Sequence, residues 1–176
     1  MRRLDKDFFR QDPIIVAREL LGQHLVYQTE RGPVVGRIVE TEAYLGADDP
    51  ACHSFGGRRT PRTETMFLPG GHHYVYFIYG MYFCYNIVTE DETSPSAVLV
   101  RAVEPVQGLE FMQQRRPGST VKNLTSGPGK LCMAYGIDKS INGRCMQSSD
   151  LYVAEGQAVN AEGVIEDSRI GIDSFG

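Results

Sequence analysis

Residues 37–44, RIVETEAY, carry two carboxylates and a tyrosine at alternate positions. In a β-strand, alternation places four of these side chains on one face of the sheet: Ile38, Glu40, Glu42 and Tyr44. An ionised carboxylate is expensive to bury alone, so such a face usually meets solvent, arginine or a polar cleft. In a cleft the two glutamates are candidates for acid–base chemistry. The alternative is a solvated strand face with ordinary surface acids.

Residues 74–86 form the most aromatic part of the chain, with five tyrosines and two phenylalanines in thirteen positions. Tyrosine is amphipathic, so this density suits a surface that stacks on flat, polar rings. Gly80 permits a tight bend between two strands, 74–79 and 82–89, which would project Tyr79 and Met81 outward. Aromatic cross-strand pairs inside a core are the alternative.

Two loops carry groups that could hold phosphate. Residues 56–63, GGRRTPRT, contain the strongest local positive charge of the chain in Arg58, Arg59 and Arg62, and their two glycines allow close approach to a backbone. Residues 126–130, SGPGK, form a turn that could open a helix whose amides and lysine hold a phosphate. This turn lacks the spacing of a nucleotide P-loop. In both cases a solvated loop is the alternative.

The histidines and cysteines do not predict a metal site or a cofactor. His72 and His73 are adjacent, so a strand would direct them to opposite sides. The four cysteines form no CxxC pair and no zinc-like spacing, and we expect buried thiols in a reducing compartment. His53 closely follows the acidic strand and is therefore a candidate residue of the same site. The alternative is a histidine whose hydrogen bonds are made within a turn.

The composition is that of one soluble globular domain without a membrane span. The chain has 176 residues, of which 41% are hydrophobic and 23% charged. Its basic start is not followed by an apolar segment, so we expect no secretory signal. The net charge is −4, but residues 150–176 contribute −5 (six acids, one base), which leaves +1 for the preceding part. This distribution permits a nucleic-acid partner, because local clusters set the phosphate contacts.

The elements that must position these residues follow from caps, turns and periodicity. Asp12-Pro13, an apolar run and Gly22 predict a helix, and residues 24–29 and 34–45 predict a hairpin. A strand is expected at 97–103, ending at Glu104-Pro105, and a late strand at 151–154. Helices are expected at 108–116 and 130–135. The sum is an α+β domain on an antiparallel sheet with helices at its flanks.

Several long motifs, in order, resemble the alkyladenine (3-methyladenine) DNA glycosylase family. They are RIVETEAYLGADDPACHSFGGRRTPRTETMF, YVYFIYGMYFCYNIV, VLVRAVEP, SGPGKLC and RIGID, and the similarity covers residues 8–172. The resemblance implies a monofunctional base-excision-repair enzyme that flips alkylated or deaminated purines out of double-stranded DNA and hydrolyses the N-glycosidic bond. The expected substrates are of the 3-methyladenine, 7-methylguanine, hypoxanthine and ethenoadenine type.

The resemblance also implies the roles of individual residues. Glu42 matches the base that deprotonates the attacking water, and Arg101 and the backbone carbonyl of Ile170 match groups that hold this water. The pocket for the flipped base would be lined by Tyr44, His53, Tyr76, Asn86 and Leu99. Asn86 matches the residue that obstructs the 2-amino group of guanine, and stacking on the tyrosines would favour a cationic base. No lysine matches a nucleophile, and no cofactor or metal is expected.

The remaining expectations from the resemblance concern DNA contact, fold and context. Tyr79 and Met81 would intercalate from the minor groove, and the DNA backbone would contact Arg58, Thr60 and Lys130. The sheet would be curved and open-barrel-like, with a protruding hairpin that inserts into DNA. The protein would be a monomer, located in the nucleus of a eukaryote or in the cytoplasm of a bacterium, at the nucleoid.

One departure from the family pattern lies at the C-terminus. Members usually continue past RIGID with a basic, aromatic strand, whereas this sequence stops at Gly176. We therefore expect one domain, 1–176, with two alternatives for its end: the sequence is truncated, or the last strand is absent. The alternative function is a DNA-damage-binding protein with weak catalysis.

Overall fold

A single antiparallel sheet of six strands organises the protein in the computed structural model, which describes residues 1–172. The strands are β1 (His24–Thr29), β2 (Gly32–Tyr44), β3 (His73–Ile78), β4 (Tyr82–Thr89), β5 (Ser96–Gln107) and β6 (Leu151–Ala154). Their spatial order is β3-β4-β5-β2-β1-β6, and the sheet curls into a half-barrel. The expected α+β class with a curved, open-barrel-like antiparallel sheet is confirmed.

Three α-helices flank this sheet within the described residues: α1 (Pro13–Glu19), α2 (Leu109–Arg115) and α3 (Pro128–Tyr135). Helix α1 begins as predicted because Asp12 Oδ1 accepts hydrogen bonds from the N–H groups of Ile14 and Ile15. Helix α3 starts at a proline and ends at Gly136, whose φ of 72° is the left-handed conformation that closes many helices. All three predicted helices are confirmed, with bounds shifted by one to three residues.

The two faces of the sheet are buried in different ways. The main core contains Leu25, Ile38, Val98 and Val100 and packs against the helices. The alternating residues of the other face join a smaller cluster under the loops between β2 and β3: Cys52, Met66, Tyr74, Val88 and Ala97, with Tyr44 and Tyr76 packed against it. The candidate chemistry lies on this second face.

The prediction that Ile38 shares a face with Glu40, Glu42 and Tyr44 is wrong. Ile38 pairs with Val103 and Glu40 with Ala102, so Val39 is an extra residue, a β-bulge. The bulge reverses the alternation. Ile38 therefore enters the main core, while Glu42 and Tyr44 lie on the opposite face, beside the smaller cluster.

The prediction that the strand at 97–103 ends at Glu104-Pro105 is also wrong, because β5 continues to Gln107. Its pairing with β4 stops at Leu99, whereas its pairing with β2 continues through Pro105 to Gln107. Proline is tolerated there because, in the described part of the chain, no strand pairs with Pro105 on the side of β5 that faces away from β2.

Candidate active site

A row of directly paired residues crosses four strands on the second face. Tyr74 of β3 pairs with Asn86 of β4, Asn86 pairs with Leu99 of β5, and Leu99 pairs with Glu42 of β2. Residues that are paired in this way have their side chains about 5 Å apart. Four of the residues that the sequence places in three separate motifs are thus neighbours on one surface.

Glu42 is almost fully buried, with 7% of its surface exposed, and its carboxylate is satisfied by three donors. Oε1 accepts a hydrogen bond from the backbone N–H of Ile170 at 2.9 Å, and Arg101 Nη1 lies 3.2 Å from the same oxygen. Oε2 accepts a hydrogen bond from the Tyr44 hydroxyl at 3.0 Å. A carboxylate can remain ionised away from water only with such partners.

Arg101 is held between two carboxylates. It is an extra residue of β5, because Val100 pairs with Thr41 and Ala102 with Glu40. Its Nε donates a hydrogen bond to Glu40 Oε1 at 2.9 Å while Nη1 faces Glu42. Glu40 therefore orients the guanidinium that contacts Glu42.

Two of the expected pocket residues, His53 and Tyr76, are in contact. The ring centroids of His53 and Tyr76 are 4.6 Å apart at 73°, and His53 Nδ1 shares a hydrogen bond of 2.9 Å with the Tyr74 hydroxyl. Desolvation, and then the charge of Arg62, lower the pKa of His53 to about 4, so this ring is neutral at pH 7. Burial and the neighbouring Glu42 raise the pKa of Tyr44, whose hydroxyl remains a donor.

Asn86 and Leu99 form the buried part of this surface, each with 3% of its area exposed. Asn86 Nδ2 donates a hydrogen bond of 3.2 Å to the backbone carbonyl of Tyr74, which fixes the orientation of the amide. Leu99 sits between Asn86 and Glu42 in the row, so it supplies an apolar floor beside the carboxylate.

Tyr79 and Met81 lie at the exposed turn between β3 and β4. Tyr79 is 84% exposed and Met81 65% exposed. Tyr79 has a φ of 54° and Gly80 a φ of 64°, and positive values at both central residues define a type I′ turn. Such a conformation is uncommon for a bulky residue and costs energy.

The three residues expected to contact the DNA backbone lie in two places: Arg58 and Thr60 are in the loop of residues 56–63, and Lys130 is in helix α3. Arg58 is exposed and has no ion pair within residues 1–172, whereas the neighbouring Arg59 pairs with Glu64. Thr60 is partly buried, and its backbone N–H donates a hydrogen bond of 2.8 Å to Thr63 Oγ1. Lys130 lies in the first turn of α3, and its Nζ donates a hydrogen bond to Asn123 Oδ1.

Asp49 and Arg169 are site residues that the sequence did not single out. Asp49 is buried with 4% exposure and accepts two hydrogen bonds from the Arg169 guanidinium. Arg169 also donates to the backbone carbonyl of Ala43 at 3.0 Å, and its Cζ lies 4.8 Å from the centroid of the Tyr44 ring. The two residues are 120 positions apart, and no local pattern links them.

Two classes of feature are not found among the described residues. Across residues 1–172, no group of three or more His, Cys, Asp or Glu side chains could hold a metal ion. In the same part of the chain, no helix combines the length and the apolar character that a membrane crossing requires.

A buried carboxylate held by three donors, beside aromatic and amide side chains, is the kind of site that can receive a flat, polar ring. The sequence profile described as "Methylpurine-DNA glycosylase (MPG)" matches residues 7–176. The chain therefore belongs to the methylpurine-DNA glycosylase family. This confirms the resemblance drawn from the motifs, and with it the class of enzyme, a DNA glycosylase of DNA repair.

Three bacterial relatives carry the name "Putative 3-methyladenine DNA glycosylase". The protein from Desulfitobacterium hafniense is 49% identical, over 98% of this chain and 89% of its own length. That from Bdellovibrio bacteriovorus is 48% identical, over 98% of this chain and 88% of its own length. That from Clostridium acetobutylicum is 45% identical, over 97% of this chain and 87% of its own length.

Proposed function

We propose that this chain is a monofunctional glycosylase that flips alkylated or deaminated purines out of duplex DNA and hydrolyses their N-glycosidic bond. The substrates would be of the 3-methyladenine, 7-methylguanine, hypoxanthine and ethenoadenine type. The observation that carries the proposal is the Glu42 carboxylate, which is buried and held by three donors. It ends the paired row that also contains Leu99 and Asn86. The names of the relatives support a methylated purine as one substrate.

Glu42 would act as the base. The bond between C1′ and the purine nitrogen breaks, and its electron pair leaves with the purine, which takes up a proton unless alkylation has already made it cationic. The sugar then has oxocarbenium character, which a nearby anion stabilises. A water held by Arg101 and the Ile170 carbonyl attacks C1′ and passes its proton to Glu42. None of the residues of this site is a lysine, which favours hydrolysis without lyase chemistry.

Tyr44, Tyr76 and His53 would enclose the flipped base. The contact of 4.6 Å between the rings of His53 and Tyr76 supports an aromatic wall that is already assembled. A neutral His53 can form a hydrogen bond to a base without repelling a cationic one. Asn86 would disfavour bases with a 2-amino group, because a side chain fixed by a hydrogen bond cannot easily move aside for that group. Undamaged guanine would then be rejected, and 7-methylguanine would be released less readily than hypoxanthine.

Tyr79 and Met81 would fill the gap that the extruded nucleotide leaves in the duplex. Their exposure, together with the strained backbone of Tyr79, supports this role. Arg58, Thr60 and Lys130 would contact phosphates on either side. The protein would act as a monomer on double-stranded DNA that contains damaged purines.

A duplex with a single hypoxanthine opposite thymine tests the proposal, with 3-methyladenine and undamaged duplexes alongside. We expect release of the damaged base and no release from undamaged DNA. Tight binding of the damaged duplex without release would indicate the alternative, a damage-binding protein. Equal or better binding of undamaged single strands would indicate a single-strand binder that uses the tyrosine-rich strands as a stacking surface.

A further inference from the structure

Residues 164–170 form the segment whose Ile170 N–H donates to Glu42, and this segment makes little apolar contact with the rest of the protein. Ile165 is 93% exposed and Ile170 62% exposed. Between this segment, α1 and β2 lies a cavity of about 380 Å³, lined by Ile14, Ala17, Leu21, Val39 and residues 164–170. Because the cavity separates the segment from α1, hydrophobic packing does not determine where Ile170 lies.

Among the residues that the structure describes, two ion pairs connect this segment to the body of the protein, and they differ in burial. The pair of Arg18 with Glu166 is on the surface, with the two side chains 55% and 67% exposed. The pair of Arg169 with Asp49 is buried, with exposures of 27% and 3%. Surface pairs contribute little to holding a geometry, whereas a buried bidentate pair fixes both distance and orientation.

The groups around Asp49 favour the charged form of its carboxyl, which is the form that pairs with Arg169. Burial raises the pKa of its carboxyl, but hydrogen bonds from Arg169 and from the backbone N–H groups of Leu45 and Ala51 outweigh burial and hold the pKa below its ordinary value. The carboxylate thus bridges the loop that follows β2 and the segment that contains Arg169.

Arg169 reaches three parts of the candidate active site at once. Its guanidinium binds Asp49, donates to the carbonyl of Ala43 and covers one face of the Tyr44 ring. Ala43 and Tyr44 are the two residues that follow Glu42 in β2, and the residue after Arg169 donates its N–H to Glu42. A displacement of Arg169 would therefore move a donor of Glu42 and the ring of Tyr44 together.

We propose that Asp49 and Arg169 are positioning residues that hold the Ile170 N–H against Glu42 and fix the Tyr44 ring. The proposal rests on the proposed function for its effect on base release, but not for the contact itself. Asp49→Asn and Arg169→Gln should each lower the single-turnover rate of base release between about 10- and 100-fold, since small displacements of a catalytic group have effects of this size. Binding of the damaged duplex should fall less than the rate, because the expected phosphate contacts and the exposed turn with Tyr79 are untouched and only the Tyr44 ring is displaced.

Glu166→Gln is the matched control, since it removes the surface ion pair of the same segment and should leave the rate within about twofold. Because Asp49 and Arg169 act as one unit, the double variant should be no slower than the slower single variant. Arg169→Lys keeps a charge and should recover part of the rate. A role in stability alone would instead reduce the folded fraction and leave the rate per folded molecule unchanged.

A measurement independent of activity separates this proposal from the proposed function. In ¹⁵N-labelled protein, the amide of Ile170 should exchange slowly with solvent and should shift in Glu42→Gln and Arg169→Gln, but not in Glu166→Gln. If wild-type protein releases no base and these amide changes occur, the proposed function fails and the positioning contact stands. An Ile170 amide that is unaffected by Arg169→Gln, or an unchanged rate in folded Asp49→Asn, overturns the positioning role.

Discussion

The backbone N–H of Ile170 donates a hydrogen bond of 2.9 Å to the Glu42 carboxylate, although the two residues are 128 positions apart. Glu42 lies in the second strand, and Ile170 is near the end of the described residues. The Glu42 carboxylate therefore has all its donors only when the segment that contains Ile170 has packed beside β2. This long-range contact links the proposed chemistry to the stability of the segment that contains Arg169 and Ile170.

Replacement of Tyr79 by asparagine should separate stability from DNA binding. Asn-Gly is a preferred pair for a type I′ turn, so Tyr79→Asn relieves the strain at a φ of 54°. We expect urea unfolding to show a variant that is roughly 0.5–1 kcal/mol more stable. Affinity for a damaged duplex should fall by about 1–3 kcal/mol through loss of stacking.

The matched control for this experiment is Tyr79→Phe, which keeps the ring and the backbone strain. It should retain wild-type stability and most of the affinity. Weaker binding in Tyr79→Phe than in Tyr79→Asn would contradict a stacking role for Tyr79.

Asn86 should control discrimination against guanine-type bases. In Asn86→Ala the obstructing amide is absent, so release of 7-methylguanine relative to hypoxanthine should rise about tenfold or more, the effect of removing a clash of roughly 1–3 kcal/mol. Asn142→Ala is a control of similar type, because Asn142 also bonds to a β3 backbone group, the N–H of Val75, but lies outside the paired row. An unchanged substrate ratio in folded Asn86→Ala would refute the proposed role.

Arg58 should contact phosphate. Arg58→Ala should weaken binding to all duplexes alike. The slope of log K against log salt should become shallower by the amount that one phosphate contact contributes. Arg59→Ala should have a smaller effect, because Arg59 is already paired with Glu64. A loss confined to damaged duplexes would place Arg58 in the base pocket instead.

The buried histidine His73 should make stability depend on pH. Desolvation lowers its pKa to about 4 from an ordinary value of 6.5, so the unfolded chain binds more protons between these values. Stability is then complete above pH 6.5 and is lost as the pH falls towards 4, by at most about 3 kcal/mol. His53, whose pKa is also lowered to about 4, contributes a slope of the same sign. Urea unfolding between pH 7 and 4.5 should therefore show the sum of both contributions in wild type and a smaller slope in His73→Gln. Identical slopes would contradict the assignment.

Much of the fold is accessible from local sequence signals. The cap at Asp12, the proline at 13 and Gly22 predict α1, and the alternating apolar residues predict most strands within a few positions. The bulge at Val39 carries no such signal, because an extra residue in a strand looks like any other until its partner strand is known. The face assigned to Ile38 was wrong for that reason.

The candidate site was only partly predictable. Glu42, Tyr44, Asn86 and Leu99 follow from the family motifs, and the strand register places them together. The contacts of Asp49 with Arg169 and of Glu40 with Arg101 join residues that are 120 and 61 positions apart. Periodicity describes neighbours along the chain, so it cannot reveal such pairs.

The most direct test of the central claim is the single-turnover rate of hypoxanthine release by Glu42→Gln, compared with wild type and with Glu40→Gln. Removal of a general base predicts a loss of at least about 100-fold for Glu42→Gln, with binding of the damaged duplex retained. Glu40→Gln removes only the partly exposed partner of Arg101 and should slow release less than about fivefold. A Glu42→Gln variant that folds, binds and releases the base at the wild-type rate would contradict the assignment of Glu42 as the catalytic base.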